Sequence, residues 1–175
     1  MRNKTALIIA GLLVAAVVSV NAQAKLKIGY IDSQELLAAM PESDSAQAQL
    51  QKLAQEHEST LDEMTVEFNK KFDAYKKALN ATPPMSELSR TTKEAELQDL
   101  QDRIQKFQDS AQQDLQQKRA ELFKPVQDKA IKAVNDVAAE NGFTYILDSG
   151  TGVVVYTAPD AVNIMPLVKT KLGLK

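Results

Sequence analysis

The sequence predicts an α+β fold in which a long antiparallel helical hairpin arm projects from a small β body that closes on oligomerisation. Three observations carry this reading. A stretch from Asp44 to Asn80 contains neither Gly nor Pro and repeats its apolar residues at steps of three and four. A Pro-rich turn separates it from a second stretch of the same kind, and short strand-like runs lie only near the two ends of the chain.

Leu26 to Asp32 is short and apolar on both parities, as a strand covered on both faces requires. Asp32 followed by Glu35 resembles a capping box, so a short helix is expected over Ser33 to Met40, stopped by Pro41. In the first long stretch the seam runs through Leu50, Leu53, Leu61, Met64, Phe68, Phe72, Tyr75 and Leu79, with His57 in the vacant place. Steps averaging about 3.67 residues per turn favour a nearly straight or slightly right-handed pair. Some 37 residues at about 1.5 Å each give a helix of roughly 55 Å.

Thr82-Pro83-Pro84-Met85 cannot continue that helix, and Ser86 with Glu87 reads as the start of another. Leu97, Leu100, Ile104, Phe107, Ala111, Leu115 and Leu122 form its stripe, interrupted by Lys118. Two long helices joined by a short turn run antiparallel. Pro125 falls inside the continuing pattern and should bend it, because its ring opposes the Glu121 carbonyl and one backbone bond is lost. Asn141-Gly142 ends the helix. Phe143 to Asp148 and Val153 to Ala158 read as two strands of a hairpin around Ser149-Gly150-Thr151-Gly152, and Asn163 can cap a last short helix with Pro166 in its first turn. The expected division is therefore a signal peptide over 1–24, a β-rich oligomerisation body from 25–41 and 124–175, and the hairpin arm over 42–123.

Of 175 residues, 44% are hydrophobic and 25% charged, and none is Cys, which removes disulfides, thiolate nucleophiles and zinc–thiolate sites. Arg2 and Lys4, the apolar run Ala6 to Val18 and the small-x-small Ala22-Gln23-Ala24 have the layout of a secretory signal peptide, with cleavage between Ala24 and Lys25. Export takes ATP out of any mechanism. Cleavage leaves 19 of the 21 basic residues against 23 acidic ones, so the mature net charge is −4 and no nucleic-acid partner is expected.

No catalytic, cofactor-binding or metal-binding residues are predicted. The single His57 cannot fill a multi-His site, and Glu56 and Glu58 beside it point to other faces. The sequence contains no GxGxxG, Walker A or GxSxG motif. Paired acids such as Asp62-Glu63 lie on a solvated helix, where nothing would raise a carboxyl pKa for acid catalysis.

Charge along the arm is segregated. Lys70, Lys71, Lys76, Lys77, Arg90 and Lys93 against Asp73 and Glu87 make residues 70 to 93 net +4, a basic tip on acidic limbs. Such a tip could attract an acidic chain or contact a membrane surface, or it could be solvated helix surface alone. The body supplies three strands from 69 residues, too few for a closed core, and strands closing against copies of themselves in a cyclic assembly would resolve this.

Lys27-Ile28-Gly29-Tyr30-Ile31-Asp32-Ser33, the Leu-Phe-Lys-Pro of residues 122 to 125, the run Gly142 to Gly150 and Asp160-Ala161-Val162-Asn163 together resemble the Skp/OmpH family of periplasmic chaperones, in the right order over essentially the whole mature chain. The resemblance implies a jellyfish-like homotrimer whose arms enclose a cavity and hold unfolded outer-membrane β-barrel proteins without ATP. Asn163 and Pro166 depart from the family's acidic, Pro-free start of the last helix. The acidic mature charge departs from its basic members and argues against lipopolysaccharide binding. A holdase needs many weak contacts. Seam residues should mainly pack limb on limb, which leaves off-seam Val66, and Met85 and Leu88 near the tip, as client-binding candidates. The competing expectation is a non-catalytic envelope tether or spacer whose arms bind one folded partner.

Overall fold

The computed structural model describes residues 26–174; the expected signal peptide, with its expected Ala24–Lys25 cleavage position, lies outside them. Elements follow in the order β1 (Ile28–Ile31), α1 (Ser33–Ala38), α2 (Pro41–Leu79), α3 (Glu87–Glu140), β2 (Tyr145–Asp148), β3 (Val162–Asn163) and α4 (Met165–Leu172). They form two compact units. One holds the described residues up to Leu36 and those from Lys132 onward, and the other spans Leu37–Ile131.

In the first unit β1 is the central strand of a three-stranded sheet of order β2-β1-β3, parallel to both neighbours. Ile28 lies opposite Tyr145 and Tyr30 opposite Leu147. Parallel partners share a face, so these four side chains line one side of the sheet, while Gly29, Ile31 and Ile146 line the other. The second side holds the core: Ile31, Leu36, Ala133, Val137, Ile164, Met165 and Val168 are buried. A Cβ on Gly29 would stand 2.9 Å from the Phe143 ring, 3.0 Å from Ile164 and 3.1 Å from Ile146. Gly29→Ala is therefore expected to overpack this layer and lower the unfolding free energy by about 1–3 kcal/mol, measurable by chemical denaturation.

A short polar cluster locks β1, α1 and β2 together. Asp32 Oδ1 accepts the amides of Gln34 and Glu35, each at 2.9 Å, and so caps α1. Glu35 does not complete the box, since its carboxylate pairs with Lys169 of α4 at 3.1 Å. Asp148 accepts the Ser33 hydroxyl at 2.6 Å, the Ser33 amide at 3.1 Å and the Gly150 amide at 2.9 Å. Burial alone would raise the Asp148 carboxyl pKa, but these donors outweigh it and hold the value below the ordinary one. Gly150 packs so tightly on Asp32 that a Cβ there would collide with the carboxylate.

Two sequence expectations fail in this unit. Val153 to Ala158 is not a strand, and Ser149 to Gly152 does not turn a β-hairpin. The next strand after β2 is the two-residue β3, and it lies on the far side of β1. The run is β-prone in composition, but no edge of its own sheet pairs with it, and Val153, Val155 and Tyr156 stand in solvent, Val155 at 95% exposure. The expected Asn163 cap shifts by one residue: Ile164 takes the N-cap place of α4 without a side-chain cap, while Asn163 Oδ1 accepts the Met165 amide at 2.8 Å from just outside the helix and Pro166 lies in the first turn.

In the second unit Pro41 opens α2 at its first turn instead of merely ending α1, as a residue that needs no donated hydrogen bond there can. α2 and α3 pair antiparallel. Glu42 meets Lys129, His57 meets Asp114 and Tyr75 meets Glu94, so the α3 number falls as the α2 number rises. Ser86 caps α3 by accepting the Ser89 amide at 3.2 Å. The helix runs continuously through Pro125.

Candidate functional site: the faces and tip of the helical hairpin

The hairpin has a thin core. Between Gln47 and Pro125 only Leu100 is buried, while Leu50, Leu61, Met64, Phe68, Ile104, Phe107 and Leu115 are half-buried and Phe72 is 39% exposed. A two-helix seam covers one side of each apolar side chain and leaves its flanks open, so limb-on-limb packing and partial exposure occur together. Polar ties supplement the seam. His57 Nε2 and Asp114 Oδ2 share a hydrogen bond of 3.0 Å, with the imidazole edge-on to Phe107 at a ring separation of 5.9 Å. The Tyr75 hydroxyl donates to Glu94, which keeps the phenol protonated to a higher pH than usual. At the root, the hydrogen bond from Lys129 holds the Glu42 carboxyl below its ordinary pKa. Sequence spacing places His57 in the seam and, three residues after Ala111 and seven after Phe107, places Asp114 at the edge of the α3 stripe, although its polar character kept it out of the apolar pattern.

The three proposed client residues differ in setting. Val66 is 65% exposed and Leu88 80% exposed, whereas Met85, in the connection, is half-buried. Residues 62, 66, 70, 73 and 77 fall on one face of α2, opposite the seam of 61, 64, 68, 72 and 75. Val66 is thus an isolated apolar group on the outer face, set among charges.

The basic tip is weaker than its formal count. Lys71 pairs with Glu67 at 3.2 Å, Lys76 with Asp73 at 2.9 Å, and Arg90 with Glu87 at 2.6 Å and Glu94 at 3.9 Å. Glu67 and Glu94 lie just outside residues 70 to 93; with them included, six bases face four acids and the net charge drops to +2. Lys70, Lys77 and Lys93 have no carboxylate partner among the described residues, so they carry the tip's outward field. The Lys76 ammonium also lies 4.8 Å from the centre of the Phe72 ring.

A shallow cleft of about 300 Å³ lies between the limbs at the hairpin root, lined by Glu42, Ser45, Ala46, Gln49, Leu122, Pro125, Val126 and Lys129. No cluster of three or more His, Cys, Asp or Glu side chains among the described residues is placed to hold a metal ion. Among the same residues no helix is long and apolar enough to cross a membrane.

A search of curated proteins finds no match. In structure, the chain is similar to an OmpH-like protein of Caulobacter crescentus CB15 described as an outer membrane chaperone, with a TM-score of 0.71, 15% sequence identity and 85% of each chain covered. That likeness concerns the fold. The model of the family described as outer membrane protein (OmpH-like) matches residues 27–172, across both units. This chain belongs to the OmpH-like family.

Proposed function

We propose that the protein is an ATP-independent periplasmic holdase, which binds unfolded outer-membrane β-barrel proteins between the helical arms of a homotrimer and prevents their aggregation. The observation that carries this reading is the OmpH-like match over residues 27–172, which takes in the hairpin as well as the sheet. The reading is non-enzymatic: the polar side chains described above are spent on caps and cross-limb ties.

The body supports self-assembly. Ile28, Tyr145 and Leu147 expose one apolar side of the sheet, and Val153, Val155 and Tyr156 form an unpaired β-prone run in the same unit. Isolated apolar residues on a surface need no partner, but a sheet face and a free strand-like segment together do. In the proposed trimer each run adds to a neighbour's sheet and covers that face.

On the hairpin, the half-open seam with Val66, Met85 and Leu88 supplies scattered weak contacts, which suit a mobile client better than one deep pocket. Lys70, Lys77 and Lys93 steer acidic client segments, or an anionic membrane surface, to the arm ends. Changing Lys70, Lys71, Lys76 and Lys77 to Gln is expected to slow association with an acidic unfolded client at low salt and to leave thermal unfolding nearly unchanged. Exposed charges are screened beyond about 8 Å at physiological ionic strength, so the difference should shrink as salt rises. The Lys70→Gln, Lys77→Gln pair should reproduce most of the effect, because Lys71 and Lys76 are already neutralised locally; stopped-flow association measures both.

The test of function is suppression of aggregation, without nucleotide, of several unrelated unfolded outer-membrane proteins diluted from denaturant. Protection of all of them supports a holdase. No protection, combined with binding to a single folded envelope protein, would instead make the chain a tether.

A further inference from the structure

Seam packing leaves Val66 unexplained: it is apolar, two-thirds exposed and directly opposite the seam. Its surroundings have an order. Four residues before it on the same face stands Asp62, and four after it Lys70; eleven before stands Gln55, and eleven after Lys77. All of these are exposed, and neither Asp62, Lys70 nor Lys77 has an ion-pair partner among the described residues. Steps of four and eleven keep every one of them on a single stripe of α2.

We infer that this stripe is a self-complementary contact for a second copy of the chain, formed by two α2 helices lying antiparallel with Val66 on the two-fold axis. Placing Val66 against its counterpart sets Asp62 against Lys70 of the other copy and Lys70 against Asp62, and further out Gln55 against Lys77. Both charge pairs form at once because the acid precedes the valine and the base follows it at equal spacing. A two-fold contact of this kind uses the same patch on both partners. Had both neighbours carried the same sign, the same juxtaposition would be repulsive.

The symmetry also states which copies meet. Neighbours within a cyclic trimer are related by a three-fold axis, never by a two-fold, so an isologous contact joins two separate assemblies. One such contact is small and its ion pairs are exposed and salt-sensitive. Repetition over several arms would make the joint association stronger than any single contact. The contact would occupy Val66 in the client-free protein and release it when a client competes.

The chain contains no Cys, so Val66→Cys places a single thiol at the proposed axis. Under mild oxidation of the full mature chain at low salt, disulfide-linked pairs are expected, with a doubled assembly in native mass spectrometry, because residues on the axis come within the Cα separation of about 4.4–6.8 Å that a disulfide needs. Leu88→Cys, more exposed but off the stripe, should link far more slowly; equal rates would overturn the proposal. In the Val66→Cys protein, Asp62→Lys should abolish linking and the added Lys70→Asp should restore it. Circular dichroism checks that each variant keeps its helix. Failure of the double exchange to restore linking would show that the stripe is not a contact between copies.

Discussion

Replacing Leu147 with Asp is expected to convert the proposed trimer to single chains. Leu147 and its ladder partner Tyr30 lie on the sheet face that also carries Ile28 and Tyr145, and Leu147 is 45% exposed in the single chain. A carboxylate there is tolerated while the face is in water, but closure against another copy would strip its hydration with no cation supplied in return. Native mass spectrometry at micromolar concentration should show the loss. The equivalent change at Leu88, exposed on the arm, should leave the assembly mass unchanged. If the Leu147→Asp protein keeps the wild-type mass, the sheet face is not an interface.

The second large effect is expected at Asp148. Asp148→Ala leaves the Ser33 hydroxyl, the Ser33 amide and the Gly150 amide without their acceptor, at the point where β1, α1 and β2 meet. Unfolding free energy should fall by about 2–3 kcal/mol, the range for loss of a part-buried, charge-assisted network. The sign with pH follows from the lowered carboxyl pKa. A group depressed in the folded state contributes stability above its unfolded pKa, and that stability is lost as pH falls through the folded value. Wild-type protein should therefore lose stability on acidification more steeply than Asp148→Ala, and urea titrations at stepped acidic pH measure the difference.

The first long helix was legible because nothing competes with its pattern: α2 runs Pro41–Leu79 without an internal breaker, and the three-four spacing assigns its seam residue by residue. The caps at Asp32 and Ser86 were legible because each rests on a side chain reaching its own neighbouring backbone. Sheet topology was not. Val153 to Ala158 has strand composition, but composition records a preference for pairing and says nothing of which chain supplies the partner. The turn signal at Ser149 to Gly152 is real chemistry, with Gly152 at φ 74° and Gly150 donating to Asp148, yet it ends β2 without starting a hairpin.

At the hairpin, the off-seam position of Val66 foretold its exposure, because helical spacing fixes which side faces the other limb. Met85 was harder, lying in the connection where no period applies. The tip's net charge depends on the window over which it is counted. Glu67 and Glu94, one turn or less beyond its limits, neutralise Lys71 and share Arg90. Partners at four residues on the same helix belong to the same electrostatic site.

Native mass spectrometry of the mature chain, alone and mixed with an unfolded outer-membrane β-barrel protein in the absence of nucleotide, tests the central claim most directly. The account predicts the mass of a trimer alone and a new species of trimer plus client in the mixture. A chain that remains single in both samples, or an assembly whose mass the client leaves unchanged while the client precipitates, would contradict it.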